Sequence, residues 1–435
     1  MLPAMSTIRK EEPFRVALLG NWTVGRSHQP IGTRKPISVD RDNYDAVLKK
    51  CGVRIETAAG AYAISDLDDF HPDAIYSTLP VFESLREART RPLPGPVQET
   101  RVPEAMDAPR ASSGSLLDDI VGESDSGAAT AARPAMRPTD DLQRFVQEVV
   151  RPYLTARPDP RAADLIRKVD DSASELMRSI LHDPKFQSVE ASWRTLFQLV
   201  RGLETSADLK LFLIDVTKEE LAGNARQVYE LLVERSGPWA VVAADFTFGV
   251  EDIGTLTSLG RIVAKLEAPL LGEADLSLLE GSAAWAEFRR SPEAAHIGLA
   301  LPRVLLRLPY GKDTSSCDTF DFEEIEGTPE VRQMLWGNPA LFCAMLLGQS
   351  FESKGWHLRP GSVREVGGLP VFVYREDGEP QALPCAEIPL TESTAEALIE
   401  AGFMPVAAER DRDIVRVLQF QSVREPASAL PGRWN

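Results

Sequence analysis

The stretch from His182 to Leu221, HDPKFQSVEASWRTLFQLVRGLETSADLKLFLIDVTKEEL, constrains this chain more than any other. Val189, Trp193, Leu196, Phe197 and Val200 recur at three- and four-residue steps, which places them on one face of a helix. The apolar run LKLFLIDV (209–216) predicts a strand buried on both faces. Thr217 followed three residues on by Glu220 is a capping-box pattern, and Leu221 begins the next helix. A strand covered on both faces requires a sheet with helices on either side. Nothing in this stretch is arranged for catalysis. It is packing surface.

The body that follows keeps this alternation. NARQVYELLVER (224–235) reads as a helix, WAVVAADFTF (239–248) as a buried strand, and Ile253 to Glu267 as a second helix. APLLGEADLSLL (268–279), AAWAEFRRS (283–291) and HIGLALPRVLLRL (296–308) come next, then the apolar helix PALFCAMLLGQSFESKG (339–355). The C-terminal part is strand-rich (LPVFVYRE, CAEIPL, VRVLQFQSV), with the short helix ESTAEALIEAGF closing on Gly402. The pattern predicts a mainly parallel sheet covered on both sides. REPASALPGRWN (424–435) reads as a tail.

Upstream lies a smaller α/β unit, residues 13–91. PFRVALLGNW forms a strand ending at Gly20, and ISVD (37–40) a second. Asp40 or Asp42 then caps the helix NYDAVLKK, with Tyr44, Val47 and Leu48 on one face. VRIET (53–57) and YAISDLDDF (62–70) read as paired strands. Pro72 and Pro80 open two helices, DAIYSTL and VFESLREAR.

Residues 92–139 are rich in Pro, Ala, Ser and Gly, a composition that predicts a disordered linker. Inside it, SLLDDIVGE (115–123) would set Leu116, Leu117, Ile120 and Val121 on one side of a short helix. Such an island is either a docking motif for a partner or a chance apolar cluster. Helical sequence resumes after Asp140. The expected organisation is α/β: a small unit (13–91), the linker, a larger mixed α/β domain (140–423) and the tail.

Candidate chemistry is thin. A net charge of −17 argues against a nucleic-acid surface or a polybasic membrane anchor. The four cysteines, Cys51, Cys317, Cys343 and Cys385, lack the spacing of a zinc site or a disulfide framework. The N-terminal residues MLPAMSTIRKEEPF lack a signal-peptide core, and no apolar run approaches the roughly 20 residues that span a bilayer. A cytoplasmic protein without membrane insertion is expected.

GNWTVGRS (20–27) approaches a phosphate loop, but Arg26 replaces the lysine and HQPIGTRKP cannot form the helix that must follow. A turn between strands is the better reading. Asp66, Asp68, Asp69, His71 and Asp73 lack the spacing of a calcium loop or a two-histidine metal site, so no metal is expected. No histidine stands in a nucleophile context. Cys317 is followed by the carboxylates of CDTFDFEE, which raise a thiol pKa and weaken a nucleophile. Catalytic residues and cofactors are expected to be absent.

RKPISVDRDNYDAVL (34–48) and LDDFHPDAIYSTLPVFESLREAR (67–89) resemble the small subunit of the type VI secretion contractile sheath. The 182–221 stretch resembles the large subunit, as do SPEAAHIGLALPRVLLRLPYG, FDFEE, WGNPALF and GFMPVA. The resemblance covers most of residues 13–91 and 140–423. It implies a non-enzymatic protein that stores conformational energy, from a family whose two subunits are separate chains pairing tightly and stacking around an inner tube. It also implies sheath or baseplate proteins as partners. A further implied partner is an AAA+ unfoldase gripping an apolar helix near the start of the large subunit, where SLLDDIVGE falls.

Two departures stand out. The two subunits are joined in one chain, and the sequence stops soon after FQSVREP (420–426), where the family's large subunit continues into its phage-tail-sheath-like region. The small-subunit part also runs into the Pro-rich segment where an extended arm is expected. These departures predict an accessory that caps, nucleates or regulates a sheath. A tube-forming protomer and an enzyme on a sheath-like α/β scaffold are the alternatives.

Overall fold

The run FRVALLG has apolar side chains on both faces, and it folds as β1 (Phe14–Gly20), an interior strand of a large sheet. The computed structural model describes residues 12–25, 29–90, 160–410 and 412–434. After β1 come β2 (Ile37–Val39), α1 (Tyr44–Cys51), the hairpin of β3 (Arg54–Thr57) and β4 (Gly60–Ala63), α2 (Pro72–Thr78) and α3 (Glu83–Thr90).

The second described stretch opens with α4 (Pro160–Leu181), α5 (Pro184–Arg201), β5 (Leu209–Asp215), α6 (Lys218–Gly223) and α7 (Ala225–Tyr229). α7 continues as a π-helical turn, Glu230–Arg235, into β6 (Val241–Phe248), α8 (Ile253–Leu266), β7 (Leu270–Ala274) and α9 (Ala283–Arg290). Next are β8 (Ile297–Leu301), β9 (Val304–Leu305), β10 (Trp336–Gly337) and α10 (Pro339–Lys354). The chain then forms β11 (Glu365–Val366), the hairpin β12 (Phe372–Glu376) and β13 (Glu379–Leu383), and α11 (Glu392–Glu400). Last are β14 (Met404–Ala408), β15 (Val415–Val417), β16 (Gln421–Ser422) and β17 (Ser428–Ala429).

Nine strands make the main sheet, in the order β11-β15-β14-β8-β7-β6-β1-β5-β2. The six strands from β14 to β5 run parallel, and the flanking β2, β15 and β11 are antiparallel to their neighbours. A parallel interior has to be covered on both faces. Phe14, Val16 and Leu18 of β1 enter one core, shared with Trp193 and Leu196 of α5 and Leu341 and Met345 of α10. Ala17 and Leu19 enter the other, with Leu259 and Ile262 of α8 and Trp239. α10 packs across β1, β6, β7 and β8 and is buried nearly all round, as an apolar helix without a polar stripe must be.

Helix starts follow local side chains. The carboxylate of Asp183 accepts the amides of Lys185 and Phe186 at the head of α5, and Pro184 occupies the first helical position. Thr217 and Glu220 form the expected reciprocal capping box of α6.

Several expectations need correction. β5 is not buried throughout: Lys210 is exposed and Phe212 half-buried, because only the three-residue β2 lies beyond β5 at that edge. Neither Asp40 nor Asp42 is the cap of α1. Asn43 holds that position, while Asp40 Oδ1 accepts the amides of Asp42 and Asn43 and closes the turn before it. YAISDLDDF is strand only as far as Ala63. Its end turns into a 3-10 helix, Leu67–Phe70, under the reciprocal cap of Asp66 and Asp69. Pro80 opens a 3-10 turn ahead of α3, and CAEIPL contributes a single bridge, Ala386 to Val304, rather than a strand. The last residues, read as a tail, supply β17 and bury Leu430.

The N-terminal segment through Arg86 and the body from Val169 form one compact unit.

Candidate assembly surface

The four residues singled out for partner docking, Leu116, Leu117, Ile120 and Val121, lie outside the described residues, as do the helical sequence from Asp140 to Leu154 and the end of the GNWTVGRS loop, Arg26 and Ser27. The described part of that loop spends its polar groups internally. The amide and hydroxyl of Thr23 donate to Asp215, and the amide of Gly25 donates to Asn21 Oδ1. Among the described residues, no α-helix starts between this loop and Tyr44.

The acidic run serves the fold. Asp69 Oδ2 accepts from the amides of Ser65 and Asp66, and the His71 ring accepts the amide of Asp73 at the head of α2. Asp73 reaches the body, accepting from the amides of Asp318 and Thr319 and the hydroxyl of Thr319. Burial pushes its carboxyl up, but these donors together outweigh burial and hold it below the usual range. Among the described residues no group of three or more His, Cys, Asp or Glu could hold a metal ion. Burial pushes the thiols of Cys51, Cys317 and Cys343 up to about 12 and that of Cys385 to about 11. The carboxylates of Asp73 and Asp318 add to the shift at Cys317. These thiols stay protonated near neutrality, as weak nucleophiles.

The most extensive contact surface is internal, where the N-terminal segment meets the body. β1 lies between β5 and β6: Phe14 to Gly20 pair in register with Leu209 to Asp215, and Val16 to Leu19 with Val241 to Ala244. Trp22 packs edge-on against Trp193, and the hydroxyl of Tyr44 donates to the Trp193 carbonyl at 2.7 Å. Phe70 meets Phe186, and Tyr76 stacks on Phe320. Arg34, nearly buried, forks onto both oxygens of Glu220 at 2.8 and 2.6 Å and donates to the Asp215 carbonyl. That fork lowers the pKa of Glu220. Sequence reading found the capping role of Glu220. It missed Arg34, whose partner lies far along the chain.

Under this surface lies a buried charge cluster. Arg307 donates to Glu190 at 2.8 Å and to Glu324 at 2.7 Å, and Arg194 donates to Glu190 at 2.7 Å and to the Tyr310 hydroxyl at 3.0 Å. Both carboxylates are essentially inaccessible to solvent. Burial pushes Glu324 up, yet Arg307, His182 and the Tyr310 amide together bring it down to about 2. The cluster joins α5 to the segments after β9. It is a fastening, with every charge answered.

A cavity of about 300 Å³ opens between α5, the carboxyl ends of β6 and β7, and the 332–338 segment. Asp245 and Glu273 line it together with Ser192, Thr247, Arg303 and Trp336. Burial raises Asp245 to about 6 and Glu273 to about 7. No histidine or cysteine lines it. Among the described residues, no helix is long and apolar enough to cross a membrane.

Comparison with known proteins returns sheath components. Residues 163–283 and 277–424 match the family model described as VipB: EvpB/VC_A0108, tail sheath N-terminal domain. Residues 5–94 match the one described as Type VI secretion system, VipA, VC_A0107 or Hcp2. A curated relative, the type VI secretion system sheath protein TssC1 of Pseudomonas aeruginosa, is 27% identical over 305 residues, which are 60% of this chain and 61% of that protein. The match thus spans less than two thirds of the relative's length. Among solved structures, the contracted helical sheath of the anti-feeding prophage aligns over 52% of this chain and 50% of that one, at 14% identity and a TM-score of 0.29. At that level of superposition the likeness bears no weight.

Proposed function

This chain belongs to the tail-sheath family of type VI secretion, and from that premise we propose that it is a structural, non-enzymatic sheath component whose two subunit-like parts are assembled within one polypeptide. The observation that supports this most is the place of β1. A strand from the small-subunit-like segment completes the parallel sheet of the large-subunit-like body, with hydrogen-bonded partners on both sides. Residues 92–139 are the proposed connection between the parts.

Within that role the favoured reading is an accessory that caps, nucleates or regulates a sheath. A tube grows when each protomer offers strand edges to the next. Here the main sheet is bounded by β2, three residues long, and β11, two residues long. The β11 edge is further occupied by Glu365, which pairs with Arg416. Short, charged edges resist strand addition. The proposed partners are sheath or baseplate proteins, met in the cytoplasm, with an AAA+ unfoldase docking on the 115–123 island.

Electron microscopy of the purified chain, alone and mixed with a complete sheath pair, tests this. The chain alone should give monomers or small closed oligomers, and in the mixture it should shorten the tubes. Long tubes from the chain alone would restore the protomer reading.

A further inference from the structure

The cavity beside α5 holds a carboxylate that the fold does not answer. Asp245 is enclosed by protein and meets solvent at the cavity, yet no Lys, Arg or His lies within ion-pair distance of it among the described residues. Its polar neighbour is the hydroxyl of Ser192. Glu273, on the adjacent strand, is bonded to the Thr247 side chain but lacks a close cation. Arg303 approaches it only to 4.0 Å, because its guanidinium is committed to Glu387 through bonds of 2.8 and 2.5 Å. Arg332, also in the lining, pairs with the exposed Glu330 at 2.6 Å.

Enclosing a carboxylate without a partner is costly, whereas pairing it with a cation in the same enclosure recovers that cost. The same chain shows the alternative, since Glu190 and Glu324, which are fully buried, are answered by Arg307 and Arg194. The rest of the lining suits a long cationic side chain. Pro184, Ala191, Met334 and Leu335 offer apolar wall for an aliphatic stem, and Trp336 offers an aromatic one for the charged head. The site lies at the carboxyl ends of parallel strands, where open α/β sheets take their ligands.

We propose that this cavity is a socket for one arginine or lysine side chain of a partner polypeptide, with Asp245 and Glu273 as the receiving carboxylates. The inference rests on the chemistry of the cavity alone and stands whether or not the chain joins a sheath. A failure here leaves the sheath reading intact, and the reverse holds too.

The test uses the full chain and short acetylated, amidated peptides carrying one central arginine, or citrulline, which has nearly the same shape without the charge. Saturation-transfer NMR at pH 8 should show the arginine peptide bound and the citrulline peptide free. Asp245→Asn should weaken the arginine peptide about tenfold, the scale of one lost charged hydrogen bond. Asp245→Asn should also melt no lower than the parent at pH 8, since it removes a charge that has no internal partner. Equal binding of the two peptides, no binding of either, or an unchanged affinity in Asp245→Asn would overturn the proposal. So would a variant that melts several degrees lower, because the carboxylate would then be holding the fold from within. Binding of spermidine with no binding of the arginine peptide would also refute it, by making a small polyamine the occupant.

Discussion

At the scale of single residues, the chain keeps two kinds of carboxylate with strongly shifted titration, and they respond to acid in opposite directions. Arg307 sits between Glu190 and Glu324 with good geometry to both. Replacing it by Met would leave two enclosed carboxylates short of their cation. Arg307→Met should therefore lose about 3–5 kcal/mol of stability, read as a drop in the urea midpoint. Asp245 and Glu273 behave otherwise. Their folded pKa values, about 6 and about 7, lie above the ordinary 3.8 and 4.5, so the folded chain holds more protons than the unfolded one across those windows. Their contribution is full below the ordinary values and is lost as pH rises through about 6 and 7. Glu324, brought down from 4.5 to about 2, contributes above 4.5 and loses that contribution as pH falls toward 2. Lowering the pH from 8 to 6 should thus stabilise the chain by about 1–2 kcal/mol. The double variant Asp245→Asn, Glu273→Gln should show a flatter profile in thermal melts over that range. A parallel profile would remove these two groups as the cause.

At the scale of elements, sequence reading succeeded where a local pattern decides the outcome. The helical face of α5, the capping box at Thr217 and the proline start of α2 all follow from spacing or from a side chain within a few residues of its target, as does the buried first half of β6, although Asp245 to Thr247 are only half-buried. It failed where a distant neighbour decides. Lys210 is exposed because β5 lies one strand from the edge, and the apolar run around it gives no sign of that. Arg34, Arg307 and Asp245 have no local signature, since what matters about each is which group the fold brings near it, or fails to. β1 shows the same division. Its strand character is plain in FRVALLG, while its position between β5 and β6 depends on chain far downstream. That position carries a prediction. Ala17 lies mid-strand with ladders on both sides, paired to Phe212 and Val242. A proline there removes a ladder donor and cannot be accommodated in a central strand. Ala17→Pro should abolish the cooperative thermal transition, and a variant that melts normally would show that β1 is dispensable.

At the scale of the whole molecule, the question is whether the two parts cohere through their contacts or through the chain that joins them. Without β1, the parallel strands β5 and β6 would present bare edges to each other. Phe14, Val16, Leu18 and Leu19, all essentially inaccessible, would return to water. At about 1.5–3 kcal/mol for each such side chain, that is on the order of 6–12 kcal/mol before the cost of association is set against it. Arg34 on Glu220, Asp73 on the 318–319 amides and Tyr44 on the Trp193 carbonyl add polar contacts along the same surface. A covalent connection adds an effective concentration, on the order of millimolar where a linker is flexible, which matters only if the contacts are weaker than that. A protease site placed between Ser113 and Gly114 separates the two influences. After cleavage the fragments should elute together from a sizing column at micromolar concentration and part only in denaturant. Fragments that separate in plain buffer would mean that the fusion itself holds the halves together. Co-elution would mean that fusion fixes a one-to-one ratio of parts already made to fit, so that no half is ever present without its complement.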